Sequence, residues 1–185
     1  MDKGKLFVIS GASGVGKSTV LAEVMAQRSD LRFSVSATTR SPRAGEVEGE
    51  SYYFVSKDKF LDMIEKHAFL EYDVHMDNYY GTPKAQLEEK LKTGHVILDI
   101  EPNGAFHVRE ERKDAVLIFI APPSLEELES RLRGRGDTSE EQIRIRQARV
   151  AWEMEQSARY DYVVTNDRVE TCAREILQII AHEAE

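Results

Sequence analysis

A glycine-rich segment near the start of the chain has the residue types and spacing of a phosphate-binding loop. Residues 11–18 read GASGVGKS, which matches the pattern G-x-x-x-x-G-K-[ST] at every fixed position. Its glycines let successive backbone N–H groups turn towards a polyphosphate, while Lys17 would reach the β- and γ-phosphates and the Ser18 hydroxyl would ligate Mg²⁺. The pattern therefore predicts a site for a nucleoside triphosphate.

The segments on either side of this loop predict the context that the pattern requires. Residues 6–9 form a short apolar run typical of a buried strand, and apolar residues recur after the loop at helical spacing. A helix that begins at the loop adds the positive end of its dipole to the anion site. The alternative is a plain glycine turn with a solvated lysine, and the agreement of motif and context argues against it. The helical apolar residues are Val20, Leu21, Val24 and Met25.

Acidic residues occur where a strand should end close to the loop. Asp99 closes the apolar run 95–100, at the place where a Walker-B-type carboxylate holds Mg²⁺ or its water shell. Glu101 follows two residues later and points the same way if the strand continues. Both could instead cap the next helix. Glu71 is a lone acid in an apolar context, and its sequence leaves open whether it reads a base or lies on a surface strand.

Arginines form two groups that could bind further phosphates. Arg40 and Arg43 lie three apart among hydroxyl residues and a Pro/Gly turn, which suits paired hydrogen bonds to phosphate but equally suits a solvated hairpin. The second group lies in the arginine- and glutamate-rich segment 131–155, where a lid could supply arginines that stabilise a transferring phosphoryl group. A solvated helix with Glu–Arg pairs, Glu153 among them, is the alternative there.

Composition and charge exclude several classes of protein. A chain of 185 residues with a net charge of −8 suits one domain and lacks the basic balance of a general nucleic-acid binder. No apolar run approaches the ~18 residues of a membrane span and no signal peptide is recognised, so we expect a cytoplasmic protein. The single Cys172 excludes an internal disulfide and is expected to pack in the core. The histidines are not spaced as zinc ligands.

Apolar runs separated by helical patterns predict an α/β fold, a three-layer phosphate-loop architecture with a central parallel sheet. Besides the first run, strands are predicted at 33–37, 95–100, 115–120 and 160–164. Two segments interrupt the alternation, and we expect them to be an inserted mixed α/β subdomain and a helical lid. The expected organisation is one domain over 1–185, with a core of about 1–37, 81–128 and 156–185, an insertion at 38–80 and a lid at 129–155.

Taken together, these motifs closely resemble guanylate kinases, the phosphate-loop enzymes that transfer phosphate from ATP to GMP. The resemblance runs nearly end to end, and its most specific block is SVSATTRSPRAGE at 34–46. The other matching segments are 11–19, 52–54, 69–71, 78–82, 98–101, 119–124, 133–136 and 164–167, together with Arg146.

The resemblance implies a Mg²⁺-assisted transfer from ATP to GMP, giving ADP and GDP, with closure of the lid. It implies catalytic roles for Lys17, Arg135 and Arg146, and leaves Arg131, Arg133 and Arg144 as solvated residues. The ATP-binding residues implied are Gly11, Ala12, Ser13, Gly14, Val15, Gly16, Lys17, Ser18, Thr19 and Asn166, with Ser18 and Asp99 at the metal. The GMP-binding residues implied are Ser36, Arg40, Arg43, Glu46, Tyr52, Glu71, Tyr80, Thr82, Asp99 and Glu101.

Guanine offers donors at N1 and N2, which the Glu71 carboxylate and the Thr82 hydroxyl would complement. The expected partners are therefore ATP and GMP, with dGMP as a further acceptor, no nucleic acid and no membrane, in a monomer or a homo-oligomer. One departure puts a guanine contact in doubt, since Glu101 and Asn103 stand where the family usually has Asp and Gln.

Two other functions are compatible with parts of this sequence. Related peptide-binding scaffolds commonly lack the phosphate loop or the lid arginines, which this chain retains. The second alternative is a kinase that phosphorylates a phosphorylated sugar. The full set of guanine and phosphate ligands in this chain argues against that function.

Replacing Lys17 by alanine tests the phosphate-loop assignment. Without its ammonium group the β- and γ-phosphates lose charge stabilisation, so kcat should fall by about 100-fold or more. The measurement is a coupled ADP-release assay, with circular dichroism to establish that the fold is intact. Turnover close to that of the unaltered chain would contradict the assignment.

Overall fold

A parallel sheet of five strands carries the phosphate loop in the computed structural model, which describes residues 4–75, 77–124, 126 and 140–185, without the side chains of 140–143 and 146. Its strand order is β2-β7-β1-β8-β9. The strands of the chain are β1 (Leu6–Gly11), β2 (Leu31–Phe33), β3 (Ala37–Thr38), β4 (Tyr53–Phe54), β5 (Phe69–His75), β6 (Asn78–Pro83), β7 (His95–Asp99), β8 (Val116–Ala121) and β9 (Tyr162–Thr165).

Helices connect these strands, as parallel pairing requires. They are α1 (Lys17–Gln27), α2 (Lys57–Glu65), α3 (Lys84–Leu91), α4 (Pro102–Glu111), α5 (Glu140–Gln156) and α6 (Val169–Glu183), with a 3₁₀ turn at Ser157–Arg159. Helix α1 packs against α6, while α3 and α4 pack against β7 and β1. None of the helices described has the length and apolar character needed to cross a membrane.

The core lies where the sequence is most continuously apolar. The LFVI run of β1 and the LIFI run of β8 are completely buried, because helices cover both faces of the sheet. Cys172 on α6 is also completely buried, which confirms its predicted place in the core. The parallel sheet and its covering helices confirm the predicted α/β fold.

A second, four-stranded sheet of order β4-β3-β6-β5 lies within residues 37–83. It is mixed, since β3 pairs with β4 in parallel but with β6 antiparallel, and β5 pairs with β6 antiparallel. Helix α2 covers it through Phe60, which is completely buried and stacks on Phe69 at 4.3 Å between ring centroids. The small sheet therefore has a separate core of its own.

The expectation of one strand over 33–37 is wrong. Strand β2 ends at Phe33 in the large sheet, and β3 begins at Ala37 in the small one. Between them the Ser34 N–H still donates to the Ile97 carbonyl at 2.8 Å, whereas the Ser36 carbonyl already accepts from the Tyr53 N–H at 2.9 Å. A continuous run of strand-forming residues thus changes partners midway, because each half has a different neighbouring strand.

Truncating Phe60 to alanine should selectively weaken the small sheet. Removal of a fully buried aromatic ring lowers the free energy of unfolding by about 3–5 kcal/mol. The matched control is Leu61→Ala, since Leu61 is next along α2 but 37% exposed, and its change should stay within about 1 kcal/mol. Urea denaturation of both variants is the measurement. Similar losses in the two would show that α2 is not held through Phe60.

Candidate functional site

The phosphate loop connects β1 to α1 through two glycines in the left-handed region. Gly14 has φ 83° and Gly16 has φ 90°, a backbone conformation that side chains other than glycine rarely adopt. Strand β8 and the residue after β9 hold the loop in place, since the Ala12 N–H donates to the Ile120 carbonyl and the Asn166 amide donates to the Val15 carbonyl at 2.7 Å. The loop backbone is therefore fixed by hydrogen bonds to residues outside it.

Lys17 begins α1 and reaches across to the next strand. Its ammonium group forms an ion pair with the carboxylate of Asp99, at the end of β7. The parallel register places Ile9 of β1 beside Asp99, so both strands end at the same edge of the sheet. Ser18 and the rest of the loop line a cavity of about 470 Å³, which we call the phosphate-loop cavity.

Two residues of α5 close the outer side of this cavity. The Glu153 carboxylate accepts a hydrogen bond from the Ser13 N–H at 2.7 Å, and Glu153 is only 3% exposed. Arg149 donates from Nε to Glu153 at 3.1 Å and from Nη2 to the carboxylate of Glu101. Helix α5 is thus attached to the loop by charge-assisted hydrogen bonds.

A second cavity of about 270 Å³ lies between the two sheets, and we call it the junction cavity. The small sheet and its loops form one side, while the end of β7 and the start of α4 form the other. Asp99 and Glu101 lie on this latter side, and Glu101 also lines the phosphate-loop cavity. The lining residues are Ser36, Tyr52, Glu71, Asp73, His75, Tyr80, Gly81, Asp99, Ile100, Glu101 and Gly104.

Glu71 lies in a buried corner of the junction cavity and is hydrogen-bonded there. The Thr82 hydroxyl, itself completely buried, donates to Glu71 Oε1 at 2.6 Å. Burial raises the pKa of the Glu71 carboxyl, and the Thr82 hydrogen bond opposes that rise. Gly104 of α4 makes the room, since a Cβ there would lie 3.0 Å from Glu71 Oε2. Of the two interpretations the sequence left open, the structure supports the buried carboxylate.

Arg40 lies beside the junction cavity and is held on two sides. Its guanidinium donates to both carboxylate oxygens of Glu46, at 2.8 and 3.0 Å, and lies 5.3 Å from the centroid of the Tyr52 ring. The Arg40 hydrogen bonds lower the pKa of the Glu46 carboxyl to about 2, helped by the Arg43 N–H at 2.7 Å. Glu46 therefore orients Arg40 rather than lining the cavity.

The predicted residues are not all brought to one place. Arg43 is exposed in the turn that follows Arg40, outside the lining of the junction cavity. Arg131, Arg133 and Arg135 lie outside the described residues, and of Arg146 only the backbone in α5 is described. Within the described chain no three His, Cys, Asp or Glu side chains form a metal-binding group.

Four titratable residues that line these cavities or close on them are absent from the predicted site. The alternative of a solvated Glu–Arg face does not hold for Glu153, which is buried, as is Val150 three residues earlier. That spacing places both on one side of α5 and is a signal the sequence contains. Asp73 and His75 line the junction cavity because they alternate with Glu71 along β5. Arg149 follows Arg146 by three residues, which predicts only that the two share a helix face.

Comparisons with known proteins identify the family of this chain. The family model described as guanylate kinase matches residues 3–183. The chain belongs to the guanylate kinase family. A guanylate kinase of Clostridioides difficile (strain 630) is 48% identical over 184 residues, which cover 99% of this chain and 90% of that protein. One of Trichodesmium erythraeum (strain IMS101) is 45% identical and covers 98% of both.

Solved structures confirm the family fold. The crystal structure of guanylate kinase from Anaplasma phagocytophilum superposes with a TM-score of 0.77 at 33% identity, covering 98% of this chain and 87% of that one. A gluconokinase from Sinorhizobium meliloti 1021 has a TM-score of 0.50 at 16% identity, a similarity of fold alone. The predicted membership of the guanylate kinase family is therefore confirmed.

The pH dependence of stability should change when the Glu71 carboxyl becomes an amide. A carboxyl whose pKa is raised by folding contributes fully to stability below its unfolded pKa of about 4.3, and that contribution is lost as the pH rises through the folded value. Glu71→Gln keeps an acceptor for Thr82 and has no proton to lose. As the pH rises from about 4 to about 7, the unfolding free energy of the variant should therefore increase relative to that of the unaltered chain.

Urea denaturation at a series of pH values measures this difference. Glu50→Gln is the control, because Glu50 is an exposed glutamate outside both cavities. Parallel pH profiles for the Glu71 variant and the unaltered chain would show that burial of the carboxyl does not govern its proton affinity.

Proposed function

We propose that this chain transfers the γ-phosphate of ATP to GMP, giving ADP and GDP. The observation that carries the proposal is that Glu101 lines both cavities. A phosphate-loop cavity and a cavity with a buried guanine-complementary corner therefore adjoin at one pair of strand ends. Two nucleotides bound in them would bring their phosphates together at this boundary, which is what a phosphotransferase requires.

On the donor side, the chain supplies a cradle and a positive charge. Loop N–H groups and Lys17 would bind the triphosphate, and an incoming phosphate would compete with Asp99 for the Lys17 ammonium group. Asn166 contacts the loop, since its side-chain amide donates a hydrogen bond to the Val15 carbonyl. On this basis and on the family resemblance, we assign residues 11–19 and Asn166 to the binding of ATP.

On the acceptor side, Glu71 and Thr82 would read the guanine base. The carboxylate accepts from N1 and N2 of guanine, whereas adenine would leave it buried and unpaired. Arg40, oriented by Glu46, lies beside Tyr52 and Tyr80, where the GMP phosphate would bind. Ser36 at the cavity wall and Arg43 in the adjoining turn would complete the phosphate ligands.

The residues present also fit Mg²⁺, which binds through few protein ligands together with substrate phosphates. A serine hydroxyl on the loop and a carboxylate at the neighbouring strand end, Ser18 and Asp99, are oxygen donors of the kind it prefers. When bound, the ion would neutralise charge on the β- and γ-phosphates.

Phosphoryl transfer here needs no general base. An oxygen of the GMP phosphate is already anionic near neutrality, since the second pKa of a phosphate monoester is about 6. That oxygen forms a bond to the γ-phosphorus while the bond to the bridging oxygen breaks, and its electron pair passes to ADP. Lys17 stabilises the charge throughout, with Arg135 and Arg146 of the proposed lid at 129–155. Residues 38–80 would form the GMP-binding subdomain.

An acceptor panel tests the function directly. ADP release from Mg-ATP is measured with GMP, AMP, UMP, CMP and IMP, at equal concentrations. GMP should exceed AMP by at least about 1,000-fold in kcat/KM, because a buried hydrogen-bonding site rejects a base that leaves it unpaired. IMP should be intermediate, since it keeps N1–H but lacks the 2-amino group. Comparable turnover of every acceptor, or of none, would refute the proposal.

A further inference from the structure

Arg149 links the two cavities, although the motifs and the resemblance leave it without a role. Its Nη2 contacts the Glu101 carboxylate, and its Nε donates to Glu153 Oε1 at 3.1 Å. Arg149 and Glu101 both line the phosphate-loop cavity, and Glu101 also lines the junction cavity. The guanidinium therefore lies at the boundary where the donor and acceptor phosphates would meet.

The position of this guanidinium is determined by the loop itself. Glu153 is 3% exposed, and its second oxygen accepts from the Ser13 N–H at 2.7 Å. A chain of hydrogen bonds therefore connects the loop backbone to Glu153, Glu153 to Arg149, and Arg149 to Glu101. Because each bond in it is charge-assisted, Arg149 is oriented before any ligand binds.

Arg149 also has the capacity to bind a phosphate. A guanidinium carries five N–H donors in a planar fork, and the two carboxylates occupy Nε and Nη2. Its side chain is 39% exposed, which leaves it accessible from the cavity. Lys17, the other cation among the described lining residues, is paired with Asp99.

We propose that Arg149 is an additional catalytic arginine, which binds the γ-phosphoryl group as it passes from ATP to GMP. The proposal rests on the proposed function. As the acceptor oxygen bonds to the γ-phosphorus and the bridging oxygen departs with its electron pair, the guanidinium donates to the γ-phosphoryl oxygens. No proton is transferred. Glu101 orients this arginine.

Arg149→Ala is compared with Arg144→Ala, a matched control because Arg144 is an exposed arginine on the same helix outside both cavities. Steady-state assays with Mg-ATP and GMP give kcat and both KM values, and calorimetry gives the Kd of ATP and of ADP. Arg149→Ala should lower kcat by about 10-fold or more and weaken ATP more than ADP, because only ATP carries the γ-phosphate. The KM for GMP and all constants of Arg144→Ala should stay within about twofold.

Arg149→Lys is the second variant, and it retains the charge without the planar fork. It should fold normally and show a kcat between those of the alanine variant and the unaltered chain, since a point charge replaces bidentate binding. This variant keeps the test decisive if Arg149→Ala fails to fold.

Three results would overturn the proposal. The first is a kcat in Arg149→Ala equal to that of Arg144→Ala, and the second is an equal rise in the Kd of ATP and of ADP. The third is a lower kcat that is found only together with a lower thermal unfolding midpoint. If the unaltered chain fails to phosphorylate GMP, the proposed function fails by itself. The comparison of ATP with ADP affinity in the Arg149 variants still tests this arginine, because it requires no acceptor.

Discussion

The parallel pairing of β1 with β7 is the constraint on which both cavities depend. Because parallel strands end at the same edge of a sheet, the phosphate loop after β1 and the acid at the end of β7 must adjoin. The ion pair of Lys17 with Asp99 is the direct result. From that edge the chain continues through Glu101 into α4, so the second cavity begins where the first one ends.

The small sheet completes the site by packing on α4. Its strand β5 brings Glu71 against Gly104, where the absence of a side chain makes room for the carboxylate. The Thr82 hydroxyl on β6 then satisfies one oxygen of that buried group. The buried carboxylate that we propose as the guanine ligand thus depends on a contact between the small sheet and α4, rather than on a single loop.

Local signals predicted the parts of the site that are continuous in sequence. The loop at 11–18 and the strand ending at Asp99 were found because glycine spacing and apolar runs have immediate backbone consequences. The run at 33–37 was assigned to one strand, since strand propensity contains no information about which neighbour each residue pairs with. The hydrogen bond of Glu153 is not predictable from local sequence for a similar reason, because its partner, the Ser13 N–H, lies 140 residues away.

The sequence by itself determined the chemistry available to this protein: a phosphate loop, paired arginines, a lone carboxylate and a family resemblance that covers nearly the whole chain. Only the tertiary structure decided which of these groups adjoin. It buried Glu71 beside Thr82, turned Glu46 onto Arg40 and connected Arg149 to the loop through Glu153. The physical reason is that the proton affinity and orientation of a charged side chain depend on distant residues packed around it, which no local pattern specifies.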